Sequence, residues 1–315
     1  MAASPLLEPG LVIAGHGRHV WVETPDGRRL ICHPRGKKSQ TVVGDRVLWQ
    51  ATQDEGTIEK VEPRRNLFYR QDEIRTKSFA ANLDQVLILI AAEPEFSESQ
   101  LSRALIAAEA EHIRPIIALN KSDLGPLFDK AWQRLAVYRD MGYTLLPLAL
   151  KPRTEHEPHR TEGLEAMLQG KTTLVLGPSG AGKSTLINRL VPEAAVLTNA
   201  ISTALNSGKH TTTSTTLYWV DAAKTTAVID SPGFQEFGLN HIEPMHLASL
   251  MPDIKAHASD CKFYNCSHRH EPGCGVLAAL QPASEAFSAP GPQQISANRY
   301  KIYSDLFAEL SQTRY

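Results

Sequence analysis

The run Gly177, Pro178, Ser179, Gly180, Ala181, Gly182, Lys183, Ser184 fits the pattern GxxxxGK[ST] without a mismatch, and it constrains the fold more than any other feature of the chain. Such a loop holds phosphate only where a strand delivers it and a helix leaves it, because the N–H groups that wrap the anion are the unpaired ones of a helix amino terminus. Both flanks are present. Residues 172–176 read as a buried strand and residues 183–190 as the start of a helix. Lys183 is suited to neutralise β/γ-phosphate oxygens, and Ser184 to offer its hydroxyl to magnesium. Further strands are expected at residues 86–90, 115–119, 217–220 and 225–229, with a helix over 97–112 opening at a Ser97 cap. Strands alternating with helices predict a mostly parallel α/β sheet with ligand at the carboxyl ends of its strands.

Two more motifs stand at such ends. Asp230, Ser231, Pro232 and Gly233 follow the strand ending at Ile229, where a phosphate-loop enzyme places the aspartate that holds magnesium through water and the glycine that senses the γ-phosphate. Asn120, Lys121, Ser122 and Asp123 follow the strand 115–119. An aspartate there accepts hydrogen bonds from guanine N1–H and its exocyclic amine. Adenine lacks that pair of donors, and an unpaired buried acceptor is costly, so the motif selects guanine. In ordinary GTPases the guanine motif follows the phosphate loop; here it precedes it, so the domain reads as circularly permuted. Permutation keeps a packed core when the old termini lie close together on the surface. It also places Asp230 directly before the carboxyl-terminal segment, to which a switch movement can pass.

Residues 11–70 are short alternating runs with turns at Asp26-Gly27 and Glu55-Gly56, which predicts a small all-β barrel. Between Arg28 and Lys38 stand Arg28, Arg29, Arg35, Lys37 and Lys38 with no acidic residue. These are RNA-binding candidates if the barrel is of the oligonucleotide-binding kind, and otherwise a solvated charged loop. The net charge of −1 gives no bulk attraction to nucleic acid, so any RNA contact needs such a local patch. Of the four cysteines, Cys32 stands alone and reads as a small buried hydrophobe. Cys261, Cys266, His268 and Cys274 supply three thiolates and an imidazole, a closed tetrahedral zinc set with no open position for catalysis; His257 and His270 are possible substitutes for the imidazole. The expected organisation is multidomain: a barrel over 1–72, the GTPase domain over 73–241 and a helical zinc module over 242–315, with 151–163 a surface loop. With no signal-peptide pattern and no apolar run of membrane-span length, the expected location is cytoplasmic.

Taken together, VVGDRV (42–47), NKSD (120–123), GPSGAGKST (177–185), GKHTTT (208–213), DSPGF (230–234) and CKFYNCSHRHEPGC (261–274) resemble the small ribosomal subunit biogenesis GTPase family, RsgA or YjeQ, over nearly the whole chain. The resemblance implies an oligonucleotide-binding (OB-fold) barrel, a circularly permuted P-loop GTPase and a helical zinc module. It also implies GTP hydrolysis stimulated by the small (30S) subunit during its late maturation, with that subunit and its rRNA as partners and the nucleotide state controlling residence there. GTP is then assigned to Asn120 through Asp123 and Gly177 through Thr185, one structural Zn2+ to the Cys3His set, and Mg2+ to Ser184, Asp230 and Thr212, with Thr211 and Thr213 as alternatives to Thr212.

Two departures from the family pattern stand out. Residues 147–151 read Pro-Leu-Ala-Leu-Lys where a Ser-Ala pair is usual, so no side chain there is assigned to guanine. Lys209 replaces a common arginine, keeping the charge but losing the planar fork. Phe234 holds the position of the glutamine that orients water in Ras-like enzymes, so slow intrinsic turnover is expected. His210 is the candidate catalytic residue, with a role in ordering switch I, which the resemblance places at Gly208 to Thr213, as the alternative. The protein is expected to be a monomer, and a rival to the enzymatic reading is a GTP-binding rRNA placeholder in which hydrolysis is incidental. An ATP-using nucleic-acid enzyme is opposed by NKSD.

Overall fold

The computed structural model of the chain describes residues 6–16, 19–36, 41–52, 55–151, 161, 163–194, 215–232, 237–282 and 294–312. Five strands, β1 (Glu8–His16), β2 (His19–Glu23), β3 (Arg29–Pro34), β4 (Arg46–Ala51) and β5 (Gly56–Val61), run in the order β1-β2-β3-β5-β4, and β4 pairs back on β1 to close a barrel. Alternation along each strand sends Val20, Val22, Cys32, Val47, Trp49 and Ile58 inward to one apolar cluster. Cys32 is fully buried there, and burial pushes its thiol up to about 12, as expected of an inert core cysteine.

A hairpin of β6 (Leu67–Gln71) and β7 (Thr76–Ala81) leads from the barrel to the central sheet. That sheet contains β8 (Gln85–Ala91), β9 (Arg114–Asn120), β10 (Thr144–Pro147), β11 (Thr172–Leu176), β12 (Thr215–Trp219) and β13 (Ala227–Asp230), in the order β10-β9-β8-β11-β13-β12. All neighbours are parallel except β12, which runs antiparallel to β13 and also pairs with β1, so barrel and sheet share one hydrogen-bonded ladder. Every residue of β8 is buried. Its Val86, Ile88 and Ile90 face one core and its Leu87, Leu89 and Ala91 the other, as a strand covered on both faces requires.

The helices are α1 (Glu98–Ala110), α2 (Pro126–Arg134), α3 (Ala136–Asp140), α4 (Leu164–Leu168), α5 (Lys183–Leu190), α6 (Pro252–Ala258), α7 (Gly275–Ala278) and α8 (Ala297–Leu310). Ser97 caps α1 as expected, its side chain accepting from Gln100 N. Beyond β13 no strand longer than a single bridge forms among the described residues, and α6 to α8 pack against the α1 face of the sheet. There Arg299 is buried: its guanidinium meets both carboxylate oxygens of Asp253 at 2.7 and 3.0 Å and donates to Ser102 Oγ on α1 at 2.6 Å. Among the described residues, no helix is long and apolar enough to cross a membrane.

Candidate nucleotide site and metal centre

The three motifs meet because the parallel strands that carry them end on one side. NKSD follows β9, the phosphate loop follows β11 and Asp230 ends β13. They line one cleft of about 1400 Å³, to which Lys121, Asp123, Ser179, Gly180, Ser184 and Thr185 contribute. Two glycines of the loop are required by close approach. A Cβ at Gly177 would lie 2.5 Å from the Leu89 carbonyl oxygen at the end of β8. At Gly182, the cap of α5 with φ +104°, it would lie 2.4 Å from Asn120 Nδ2. Pro178 also lines the cleft, while Ala181 is buried beneath it.

Asn120 is only 4% exposed, and both ends of its amide are used: Nδ2 donates to Ala181 O at 2.9 Å and Oδ1 accepts from Leu150 N at 3.1 Å. It therefore ties the phosphate loop to the segment after β10. Ser122 N donates to Leu148 O in the same segment at 2.9 Å, and Leu150 and Lys151 join the cleft wall. This places the stretch 147–151, for which the residues alone offered no side-chain role, beside Asp123. Lys121 sits in the left-handed region (φ 69°) and its ammonium donates to the Glu93 carbonyl.

Lys183 Nζ lies 2.5 Å from Asp230 Oδ1, so the two groups expected to act on phosphate and on magnesium are paired with each other. Ser231 is fully buried and donates to Val175 O on β11 at 2.9 Å, which fixes the start of the DSPG turn. Gly233, Phe234, His210, Thr212 and the other residues of 208–213 lie outside the described residues, as do Lys37 and Lys38. Where the chain resumes, Gln71 N donates to Gly238 O at 3.0 Å and Arg103 Nη1 to Phe237 O at 3.2 Å; Arg103 is also paired with Glu309 near the end of α8. The chain that follows Pro232 is thus bonded to the hairpin and to α1, and reaches α8 through Arg103. The residues alone place Asp230 just before the carboxyl-terminal segment but do not name Arg103 and Glu309, which join the two.

The three described arginines of the basic run have acidic partners. Arg28 pairs with Asp26 and Glu8, and Arg35 with Glu59 at 2.9 Å while 69% exposed. Arg29 pairs at 2.7 Å with Glu23, which also accepts from Trp219 Nε1 and Lys224 Nζ. Glu23 is buried, yet these donors hold its carboxyl below the usual range against the opposing effect of desolvation. Arg29 is thereby engaged at the junction of barrel and sheet.

Cys261, Cys266, His268 and Cys274 offer ligand atoms all within 4.8 Å of one another, a group that can hold a metal ion. The Cys261 and Cys274 sulfurs are 3.8 Å apart, and His268 Nδ1 lies 3.4 and 3.5 Å from them. His268, and neither His257 nor His270, completes the group. Outside it, Glu271 accepts from Ser267 N and Oγ and from the N–H groups of Arg269 and His270, while Tyr300 and Tyr303 of α8 donate to the His268 and Ser267 carbonyls at 2.9 Å. Such bonds hold the ligand loop in shape.

Comparison with known proteins agrees with this geometry. Residues 61–240 match the RsgA GTPase family model. The small ribosomal subunit biogenesis GTPase RsgA of Variovorax paradoxus is 72% identical over 98% of this chain and 95% of its own length. That of Paraburkholderia phymatum is 48% identical over 96% and 92%. The crystal structure of YjeQ from Thermotoga maritima superposes with a TM-score of 0.70 at 29% identity, covering 98% of this chain and all of that one. YloQ, titled a circularly permuted GTPase, gives 0.67 at 26% identity, covering 100% of this chain and 99% of that one. With its phosphate loop, guanine motif and barrel in the same permuted arrangement, the chain belongs to the small ribosomal subunit biogenesis GTPase family, RsgA.

Proposed function

We propose that this GTPase binds the small ribosomal subunit late in its assembly in a GTP-dependent way, as a cytoplasmic monomer, and hydrolyses GTP faster when bound there. The observation that carries this reading is the convergence of the NKSD, phosphate-loop and DSPG motifs on one cleft whose far wall is linked through Arg103 to Glu309 of α8. Backbone N–H groups of the phosphate loop wrap the phosphates, and Lys183 exchanges Asp230 for the β/γ oxygens. Ser184, Thr212 and Asp230 would hold Mg2+, which supplies positive charge to the phosphates when bound. Asp123 reads guanine, while Asn120 keeps the two sides of the cleft in register. His210 orients the attacking water in place of the absent glutamine. His210→Ala should slow single-turnover hydrolysis on saturating subunits at least ~10-fold with GTP affinity unchanged; a wild-type rate would exclude that role.

Asp123→Asn is expected to shift preference from GTP toward xanthosine triphosphate by ~10-fold or more, because the amide donates where the carboxylate accepted and xanthine carries the matching carbonyl. Competition binding measures this, and unchanged selectivity would remove the guanine assignment. We further assign Zn2+ to the Cys3His group. Bonds of ~2.3 Å to sulfur and ~2.0 Å to nitrogen give tetrahedral edges of about 3.8 and 3.5 Å. The observed separations of 3.8, 3.4 and 3.5 Å match them.

RNA contact is proposed through the exposed Arg35, just beyond the end of β3, together with Lys37 and Lys38, while Arg28 lies at the opposite end of that strand. Reversing the charge at Arg35, Lys37 and Lys38 should weaken subunit binding and lower its counterion-release slope by about one unit per lost phosphate contact. A slope equal to wild type would place the contact elsewhere.

A further inference from the structure

On the outer surface of the barrel, far in sequence from the thiolate group, three potential ligands come from three different strand ends. In the β2–β3 ladder Val20 lies opposite Cys32, so His19 and His33 are the next facing pair; in the β3–β5 ladder Cys32 lies opposite Gly56, which brings the preceding Glu55 alongside. One ligand atom from each of His19, His33 and Glu55 lies within 4.8 Å of the others. His33 Nδ1 is 3.0 Å from Glu55 Oε2, and the two imidazole rings stand at 83° with centroids 5.9 Å apart. Glu55 is held in place by its own turn, where Thr52 N donates to Glu55 O at 2.8 Å and Glu55 N to Thr52 Oγ1 at 3.3 Å.

A simple His–Glu pair would aim the ring N–H at the carboxylate. Here His33 Nδ1 is shielded from solvent and has no aligned hydrogen-bond partner despite the nearby oxygen. A second imidazole beside it would also repel it if both were charged. Two neutral imidazoles and a carboxylate around one dication remove both problems. We propose that His19, His33 and Glu55 form a second metal site, for a borderline divalent transition ion such as Zn2+, Co2+ or Ni2+. Two nitrogens and one oxygen suit such ions, and suit Mg2+ and Ca2+ poorly because these want all-oxygen shells. Three protein ligands leave an open position, in contrast to the closed Cys3His group. An ion there pins the start of β2, the end of β3 and the β4–β5 turn together, so occupancy stabilises the barrel.

The test is titration of Co2+ into the tag-free full-length protein with its tightly held metal in place. One further equivalent should bind with weak visible bands and no sulfur-to-metal charge transfer, should be displaced by Zn2+, and should resist millimolar Mg2+. His33→Gln and Glu55→Gln should each weaken this binding ~10-fold or more, with GTP affinity unchanged. The second variant decides the matter if the first disturbs the barrel. Absence of a second equivalent, or binding that neither substitution alters, would overturn the proposal.

Discussion

Stripping the metal from the Cys261, Cys266, His268 and Cys274 group is expected to unfold the segment between α6 and α7 and to loosen α8 from the GTPase sheet. The segment has hardly any apolar interior, since Phe263 and Tyr264 are exposed and its buried side chains are the ligand residues, so with a metal removed chiefly the hydrogen bonds of Glu271, Tyr300 and Tyr303 would hold it. Without a cation, burial pushes the Cys266 thiol up to about 12, so a neutral thiol replaces a bound thiolate. Apparent binding energies of structural zinc in small modules are ~10–16 kcal/mol, comparable with the whole stability of a domain. The loss should spread. Tyr300 and Tyr303 donate to the ligand loop from the same helix whose far end carries Glu309 against Arg103. Chelation should therefore expose α8 to amide exchange and free Phe237 O from its fixed donor. Exchange in the 259–280 and 297–310 segments that does not change on metal removal would show the group to be dispensable.

Asn120→Ala is expected to lower stability by about 2–6 kcal/mol and GTP affinity ~10-fold or more, because it orphans the buried Ala181 carbonyl and Leu150 N–H together, at ~1–3 kcal/mol each. The two bonds join the phosphate loop to the segment beside Asp123, so their loss separates the halves of the site that grip phosphate and base. Asn120→Asp should be no better. It keeps an acceptor for Leu150 N but sets a carboxylate against the Ala181 carbonyl. Thermal melting and calorimetric GTP binding check this; an alanine variant that melts and binds like wild type would reduce Asn120 to a bystander.

Local pattern revealed what local physics controls. The phosphate loop, its strand and helix, the Ser97 cap and the spacing of the metal ligands all depend on residues close in sequence, and each stands where the residues placed it. The contacts that join these parts do not. Asn120 reads as part of a base-recognition motif, and only the fold shows its amide reaching Ala181, 61 residues away. Arg29 reads as one of a basic run, yet its partner Glu23 is fixed by Trp219 of β12 and Lys224 just beyond it, 196 and 201 positions away in sequence. The hairpin of β6 and β7 was hidden because its two strands straddle the mostly charged residues 72–75, where the chain reads as a boundary. Nothing in a window of residues could pair β1 with β12, some two hundred positions apart.

The most direct test of the central claim is multiple-turnover GTP hydrolysis with and without purified small ribosomal subunits, with ATP as competitor. Subunit-stimulated turnover at least ~10-fold above the free protein, or ~1.4 kcal/mol of barrier, with no inhibition by equimolar ATP, is the expected result. Equal turnover with and without subunits, at concentrations where the GTP-bound protein is shown to be bound to them, would contradict it.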